Sequence, residues 1–572
     1  MMPVTQAEYD LVVRGGTVFD GSGGKPFIAD IAVRAGRIEA VGMVPGRGHE
    51  EIDASGQIVT PGFVDIHTHY DGQATWDSRM QPSSWHGVTT VVMGNCGVGF
   101  APCKPDDRDT LIRLMEGVED IPQPVMAEGL PWNWETFPEY LDAIEARAFD
   151  VDICTMLPHA ALRVYVMGQR GFHREPAQAD DIVRMREIAR EAIEAGAFGF
   201  STSRAHTHKT LANEPTPSFN AATNELVGIA MGLADAGNGV LQVVGNAESK
   251  EFIEMTRASG RPMSHLLAQT HGDPESWRDG LKKLEALNAD GLVVRAQVGG
   301  RPVGVLMGLD LTMHPFVLHS SYKGIAGLPL ADRIKVLSDP EFQAKLFAEE
   351  PGTGVVFDRA LLTRFDEMFL LEGEPDYEQP TENSVAAIAS RRGVTPQSVV
   401  LEHLLGNGGS NLLLTPMANY CQHSLEPARE MLTHPLTLSG LSDGGAHMGT
   451  ICDGSLPTYM LSYWTRDRTR GPKLGLAEVV KMQTADTAAW MGLDDRGRIA
   501  PGLRADLNVI DYDKLRLHAP ELRFDLPAGG RRLVQRADGY TATVINGAIT
   551  YRNGEATGVL PGRLVRSRAM AA

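Results

Sequence analysis

The chain has 572 residues, of which 43% are apolar and 22% charged, with a formal net charge of −19 at pH 7. That is the balance of a soluble globular protein, long enough for more than one domain. The acidic excess argues against nonspecific nucleic-acid binding, which needs cations to neutralise phosphates. No apolar run approaches the roughly 20 residues needed to cross a bilayer, so no membrane association is expected. The opening MMPVTQAEYDLVV lacks the basic and apolar regions of a secretory leader. The five cysteines, Cys96, Cys103, Cys154, Cys421 and Cys452, are too few and scattered for a disulfide framework. A cytoplasmic location is the resulting expectation.

In chain order, the first sixty residues predict short strands and turns. Tyr9–Arg14 is extended, Gly15-Gly16 turns, and Thr17–Phe19 follows as a second short strand. Ile28–Arg34 and Arg37–Val41 alternate around Ala35-Gly36, which suggests a small antiparallel sheet. After Pro61-Gly62, apolar runs of strand length alternate with amphipathic helices, the pattern of parallel β/α units. The clearest helix starts at Ala179, with Ile182, Met185, Ile188, Ala192 and Ile193 on one face and Gly196 as its stop.

Strands are expected at Ile58–Ile66, Thr89–Met93, Val151–Met156, Ala197–Ser201, Val240–Val244, Arg261–Ser264, Gly291–Gln297 and Thr437–Leu441. Eight is the number that closes a (β/α)8 TIM-type barrel. The stretch of about 302–434 is too long for an ordinary connection and predicts an insertion near the barrel mouth. Its last helices, Ser384–Arg392 and Gln397–Leu405, are expected to return to the barrel wall. Arg504–Ile510 and Ala542–Asn546 are strands again. The expected organisation is residues 1–60 and 496–572 as two parts of one small β-sandwich domain, and residues 61–495 as the barrel.

The strongest chemical signal is Gly62-Phe-Val-Asp-Ile-His-Thr-His69. Side chains two apart on a strand face the same way, so His67 and His69 project together at the carboxyl end of the first barrel strand. That end carries the active site in this fold, and neutral imidazoles suit zinc-like metals. Cys96, between Gly94-Asn95 and Gly97, is either a thiolate ligand or a small buried hydrophobe. His265, at the end of a late strand, is a ligand or a satisfied polar residue. Asp443, in Ser442-Asp-Gly-Gly-Ala-His447, suits a metal ligand that is also a general base, or a turn aspartate. His447 is a supporting or merely a loop residue.

Taken together, these motifs resemble the amidohydrolase superfamily, and within it the N-acyl-D-amino-acid deacylase (D-aminoacylase) group. The resemblance covers nearly the whole chain. It rests on Tyr9–Asp20, Pro61–His69, Gly94–Gly97, Leu438–Gly444 and Arg496–Leu507. It implies that Cys96 takes the place of the group's metal-bridging cysteine and that His67, His69, Cys96, His265 and Asp443 form the metal shell. The implied reaction is hydrolysis of an amide C–N bond by zinc-activated water, with Asp443 as base and a small-molecule amide as substrate. A cyclic amide, a carbamate or a deamination substrate on the same scaffold is the alternative, and a metal-depleted structural homologue the third.

The sequence departs from the group at three places. Val244 stands where a fifth-strand histidine is expected, and Leu267 where a lysine would hold the substrate carboxylate. Gln297–Pro302 replaces a tyrosine-rich motif. One tightly bound zinc ion is therefore expected, a second being weak. His206 and His208 in the fourth loop are candidates to replace the missing ligand. Arg204 and Arg301 are candidates to hold substrate. Oligomeric state, including a homo-oligomer, is left open.

Overall fold

The computed structural model describes residues 7–246, 249–354 and 359–567. Met1–Gln6, with which the opening segment read above begins, lie outside the described residues. Both chain ends build one sheet. Its order is Glu555–Ala556, Ala548–Arg552, Tyr540–Ile545, Leu507–Ile510, Ile58–Pro61, Tyr9–Val18, Phe27–Arg34 and Arg37–Gly42, with Gly48–Asp53 also paired to Tyr9–Val18. The seam between the two ends is antiparallel, Leu507 facing Pro61 and Val509 facing Val59. Alternate residues from both ends, including Val13, Ile31, Val33, Leu507, Val509 and Val544, close one apolar core.

Three expectations for this region need correction. Gly15-Gly16 does not end a strand: Tyr9–Val18 runs through it with a bulge, Gly15 taking φ +63°. The sheet is mixed, because Tyr9–Val18 pairs in parallel with Gly48–Asp53 and Ile58–Pro61. The single strand expected over Ile58–Ile66 is two: Ile58–Pro61 lies in this sheet, and after Gly62 Phe63–Asp65 starts the barrel. A Cβ at Gly62 would meet the Thr89 side chain at 2.2 Å, so the crossing between the two sheets requires glycine.

The barrel strands are Phe63–Asp65, Val88–Met93, Asp152–Thr155 continuing in Leu157–Pro158, Gly199–Ser203, Val240–Val244, Met263–Leu266, Val294–Val298 and Thr437–Ser439. Neighbours pair in parallel. Met156 N to Met93 O (2.9 Å) and Phe198 N to Thr155 O (2.8 Å) carry the ladder across the third strand. The last strand closes on the first through Asp443 N to His67 O (3.2 Å) and His69 N to Gly444 O (2.7 Å). These closing bonds lie among the candidate site residues themselves. The protein is thus a (β/α)8 barrel with a small β-domain made by both termini.

A buried ion-pair cluster joins the two parts. Asp152 of the third barrel strand receives Arg496 at 2.7 Å and Arg504 at 2.9 Å, and Arg504 also meets Asp506 at 3.1 Å. Removing one member of such a cluster strands a buried charge, a loss of about 3–5 kcal/mol.

Residues beyond Pro302 form a sheet of Val303–Met307, Leu412–Ala418 and Phe369–Leu371, with helices on one side. Its alternating residues serve two cores. Val305, Met307 and Leu413 face the insertion's own cluster, while Leu306, Leu414 and Phe369 join the barrel's. The helices Val385–Arg392 and Pro396–Leu405 do not return to the barrel wall as expected. Val385, Ala389, Val399 and Leu404 pack into the insertion's own core. Their apolar faces are where the periodicity puts them, but periodicity does not say which core a face meets.

Candidate metal centre

His67 and His69 extend from the first barrel strand with ring centroids 5.5 Å apart. The intervening Thr68 points the other way and donates to Val92 O at 2.8 Å. Cys96 reaches the same point from the loop after the second strand, at φ +55° between Gly94 (+83°) and Gly97 (+71°). A non-glycine residue there carries strain of about 1–3 kcal/mol. The loop is held by Cys96 N donating to Gln242 Oε1 and Gly97 N to Ser201 Oγ, both at 2.9 Å. A Cβ at Gly97 would come within 2.9 Å of Thr202 Cα, so the loop approaches the fourth strand too closely for a side chain.

One donor atom each from His67, His69 and Cys96 lies within 4.8 Å of the other two, and all three residues are buried. His67 Nε2 is 3.3 Å from Cys96 Sγ. Asp443 Oδ1 completes the group, 3.3 Å from His67 Nε2 and 3.6 Å from His69 Nε2. Asp443 (φ +48°) and His447 (φ +52°) share the left-handed backbone of Cys96. The other nitrogen of His67, Nδ1, is 2.7 Å from Gln297 Oε1, whose amide nitrogen donates to Ser264 Oγ at 3.0 Å. With Nδ1–H donated to Gln297, Nε2 presents a lone pair to the cluster.

The electrostatics follow from burial and mutual contact. Burial lowers His67 to about 4, so it is a neutral ligand at ordinary pH. Burial pushes the Cys96 thiol up to about 12. Burial would lower His69 as well, but Glu119 and the hydrogen bonds to Asp443 and Cys96 outweigh it and raise it well above the usual value. Burial would raise Asp443, yet the His69 hydrogen bond and the charges of His67 and His447 hold it well below the usual carboxylate range. Two buried imidazoles and a buried thiol converge with a partly exposed carboxylate, an arrangement that a bound cation would stabilise. His69 Nδ1 is buried without a well-formed hydrogen bond. The donor set of nitrogen, sulfur and oxygen fits a zinc-like ion.

Among the other candidates, His208 lies within electrostatic reach of the centre without joining its three-donor group, and His206 points elsewhere. His208 Nδ1 is held by Ser203 Oγ at 2.8 Å. Burial, with the neighbouring His447 and His69 acting in the same direction, lowers it to about 3. His206 is exposed and lies against the Phe219 ring. His265 ends the sixth strand, buried, with Nδ1 3.1 Å from Leu266 O, outside the three-donor group. Val244 offers no donor from the fifth strand and is itself buried.

Neither arginine is placed as a free substrate clamp. Arg301 is buried and paired with Asp453 at 2.5 Å, with Ser455 and the Cys452 carbonyl as further partners. Arg204 bonds the Ala221 carbonyl and sits 3.4 Å from Glu251. Long-range pairing of this kind has no signature in sequence.

Sequence reasoning assigns no role to three participants: Gln242, Gln297 and Glu119. Glu119 Oε1 is 3.4 Å from His69 Nδ1, and its other oxygen is 3.8 Å from His447 Nε2. For Glu119 a weaker signal exists. It falls four residues after Met115 and eight after Leu111 on the buried face of the helix Arg108–Glu119, where an apolar residue belongs.

The amidohydrolase family model matches residues 50–551. An uncharacterized protein of Mycobacterium tuberculosis is 28% identical, over 96% of this chain and 92% of its own length. The D-aminoacylase of Alcaligenes xylosoxydans xylosoxydans is also 28% identical, over 98% of each chain. A solved D-aminoacylase structure, described by its binuclear metal centre with one-metal activation and second-metal attenuation, superposes with a TM-score of 0.65. It is 25% identical, over 98% of this chain and 100% of that one.

Proposed function

The chain belongs to the amidohydrolase family, and from that premise we propose that it hydrolyses the C–N bond of an N-acyl amino acid or related amide through a zinc centre held by His67, His69, Cys96 and Asp443. The observation that carries the reading is the convergence of three buried donors within 4.8 Å, with the Asp443 carboxylate against both imidazoles. When bound, the ion supplies a lowered pKa for water and polarisation of the scissile carbonyl. Asp443 takes the proton of the attacking water on its carboxylate and delivers it to the leaving nitrogen. Gln297 holds His67 in the tautomer that frees Nε2, and Gln242 holds the Cys96 loop.

A single tightly held ion is the favoured stoichiometry. Val244 withholds the fifth-strand ligand, and His265 lies outside the three-donor group. His208 is the residue to supply any weaker second site, since it lies close enough to His447, His69 and Asp443 to interact with their charges. A simple N-acetyl-D-amino acid is not the preferred substrate. Leu267 cannot pair with a carboxylate, Arg301 is committed to Asp453, and Arg204 bonds Ala221 and faces Glu251. A charge-assisted hydrogen bond is worth about 1.5–3 kcal/mol, so its absence predicts roughly 10–150-fold lower kcat/KM on N-acetyl-D-methionine than on the best larger or uncharged amide.

The test is zinc content after exhaustive dialysis, together with a screen of N-acyl amino acids of both hands and of uncharged amides. Close to one ion in wild type, His206→Ala and His208→Ala alike supports the single-ion centre. Two ions in wild type falling to one in His208→Ala would assign the second site to that histidine. High efficiency on N-acetyl-D-methionine would overturn the substrate reading, and no hydrolysis of any amide would overturn the function.

A further inference from the structure

We propose that Glu119 is the positioning residue of the centre: its carboxylate orients the His69 ring so that Nε2 faces Asp443 and Cys96. This rests on the metal-centre reading above. A histidine ligand needs one nitrogen free for the ion and the other held, since the held nitrogen fixes tautomer and ring rotation. For His67 that holder is Gln297. For His69 the corresponding nitrogen, Nδ1, is buried, and Glu119 Oε1 at 3.4 Å is the acceptor facing it.

The position of Glu119 is set by the loop it serves. Its backbone carbonyl accepts from His447 N. The next residue, Asp120, ends the helix at φ +52°, and its carboxylate accepts from Gly449 N at 3.0 Å and from Thr312 Oγ1 at 3.1 Å. The helix end is thereby tied to the loop that carries Asp443 and to the first loop of the insertion.

Stability does not explain an acid there. The last turn of a helix disfavours negative charge, and a side chain with only 2% of its surface exposed loses hydration as well. Imidazoles on both sides compensate for it: His69 on one oxygen, His447 at 3.8 Å from the other. One carboxylate therefore links a metal-facing histidine to the histidine of the closing loop.

The experiment compares wild type, Glu119→Gln and Glu119→Asp. Zinc affinity is measured by chelator competition, the His69 tautomer by nitrogen-15 NMR of the zinc-loaded protein, and Tm by calorimetry. Glu119→Gln should weaken zinc binding about 10–100-fold, the usual effect of losing such an outer partner. Metal-free Tm should move little, and Glu119→Asp should recover part of the affinity. In wild type, His69 should carry its proton on Nδ1. Zinc affinity of Glu119→Gln within twofold of a zinc-binding wild type overturns the inference alone. If Glu119→Gln does not fold, the wild-type tautomer decides, and a proton on Nε2 overturns it. A wild type that binds no zinc overturns the metal-centre reading and this inference together.

Discussion

Asp443→Asn should lower kcat by about 10²–10⁴-fold, the weight of a positioned general base, while the protein folds normally and keeps most of its zinc. Asparagine retains an oxygen for the ion and tolerates the left-handed backbone that Asp443 adopts at φ +48°. What it lacks is the basic oxygen 3.3 Å from His67 Nε2. Activity and metal content therefore separate in this variant. Steady-state kinetics at saturating substrate, paired with metal analysis, read the two independently. A kcat within tenfold of wild type would remove Asp443 from the role of base. Loss of zinc in proportion to activity would instead make it chiefly a ligand.

The barrel is legible in the sequence because its strands are buried on both faces and appear as uninterrupted apolar runs. The paired histidines are legible because a strand's two-residue period forces His67 and His69 to one side. The Ile58–Ile66 run hides a boundary, since both halves are apolar and only the crowding at Gly62 separates them. The insertion is legible as an interruption but not as a packing unit. A helix such as Pro396–Leu405 announces an apolar face and nothing about its partner, which is a sheet whose strands lie partly far away in sequence.

Within the centre, residues that touch the cluster directly come from short motifs. Those that hold them come from elsewhere in the chain: Gln297 lies 230 residues from His67, and Gln242 lies 146 from Cys96. No spacing rule links such pairs, so only the folded chain reveals them. Arg301 shows the converse. An arginine at the rim invites a substrate role, and its burial against Asp453 withdraws the invitation. Glu119 lies between these cases, because a carboxylate on an apolar helical stripe is a local inconsistency that the helix pattern alone exposes.

The second large effect is expected at Cys96. Its sulfur is 3.3 Å from His67 Nε2, and its backbone is held by Gln242 and strained at φ +55°. A cysteine kept merely as a small apolar group would not need a strained loop aimed at two imidazoles. Cys96→Ala removes one sulfur from a buried position, which costs the fold only on the order of 1 kcal/mol of lost packing. The metal loses a direct ligand, so its affinity should fall by more than the roughly 10–100-fold of an outer partner. Zinc content and activity should therefore drop together while far-UV circular dichroism stays unchanged. Cobalt(II) offers a direct signature. The wild type loaded with cobalt should show a sulfur-to-metal charge-transfer band, absent from Cys96→Ala and from Cys96→Ser. Full zinc content in Cys96→Ala, or a charge-transfer band that survives it, would return Cys96 to the role of a buried apolar residue and leave the centre to His67, His69 and Asp443.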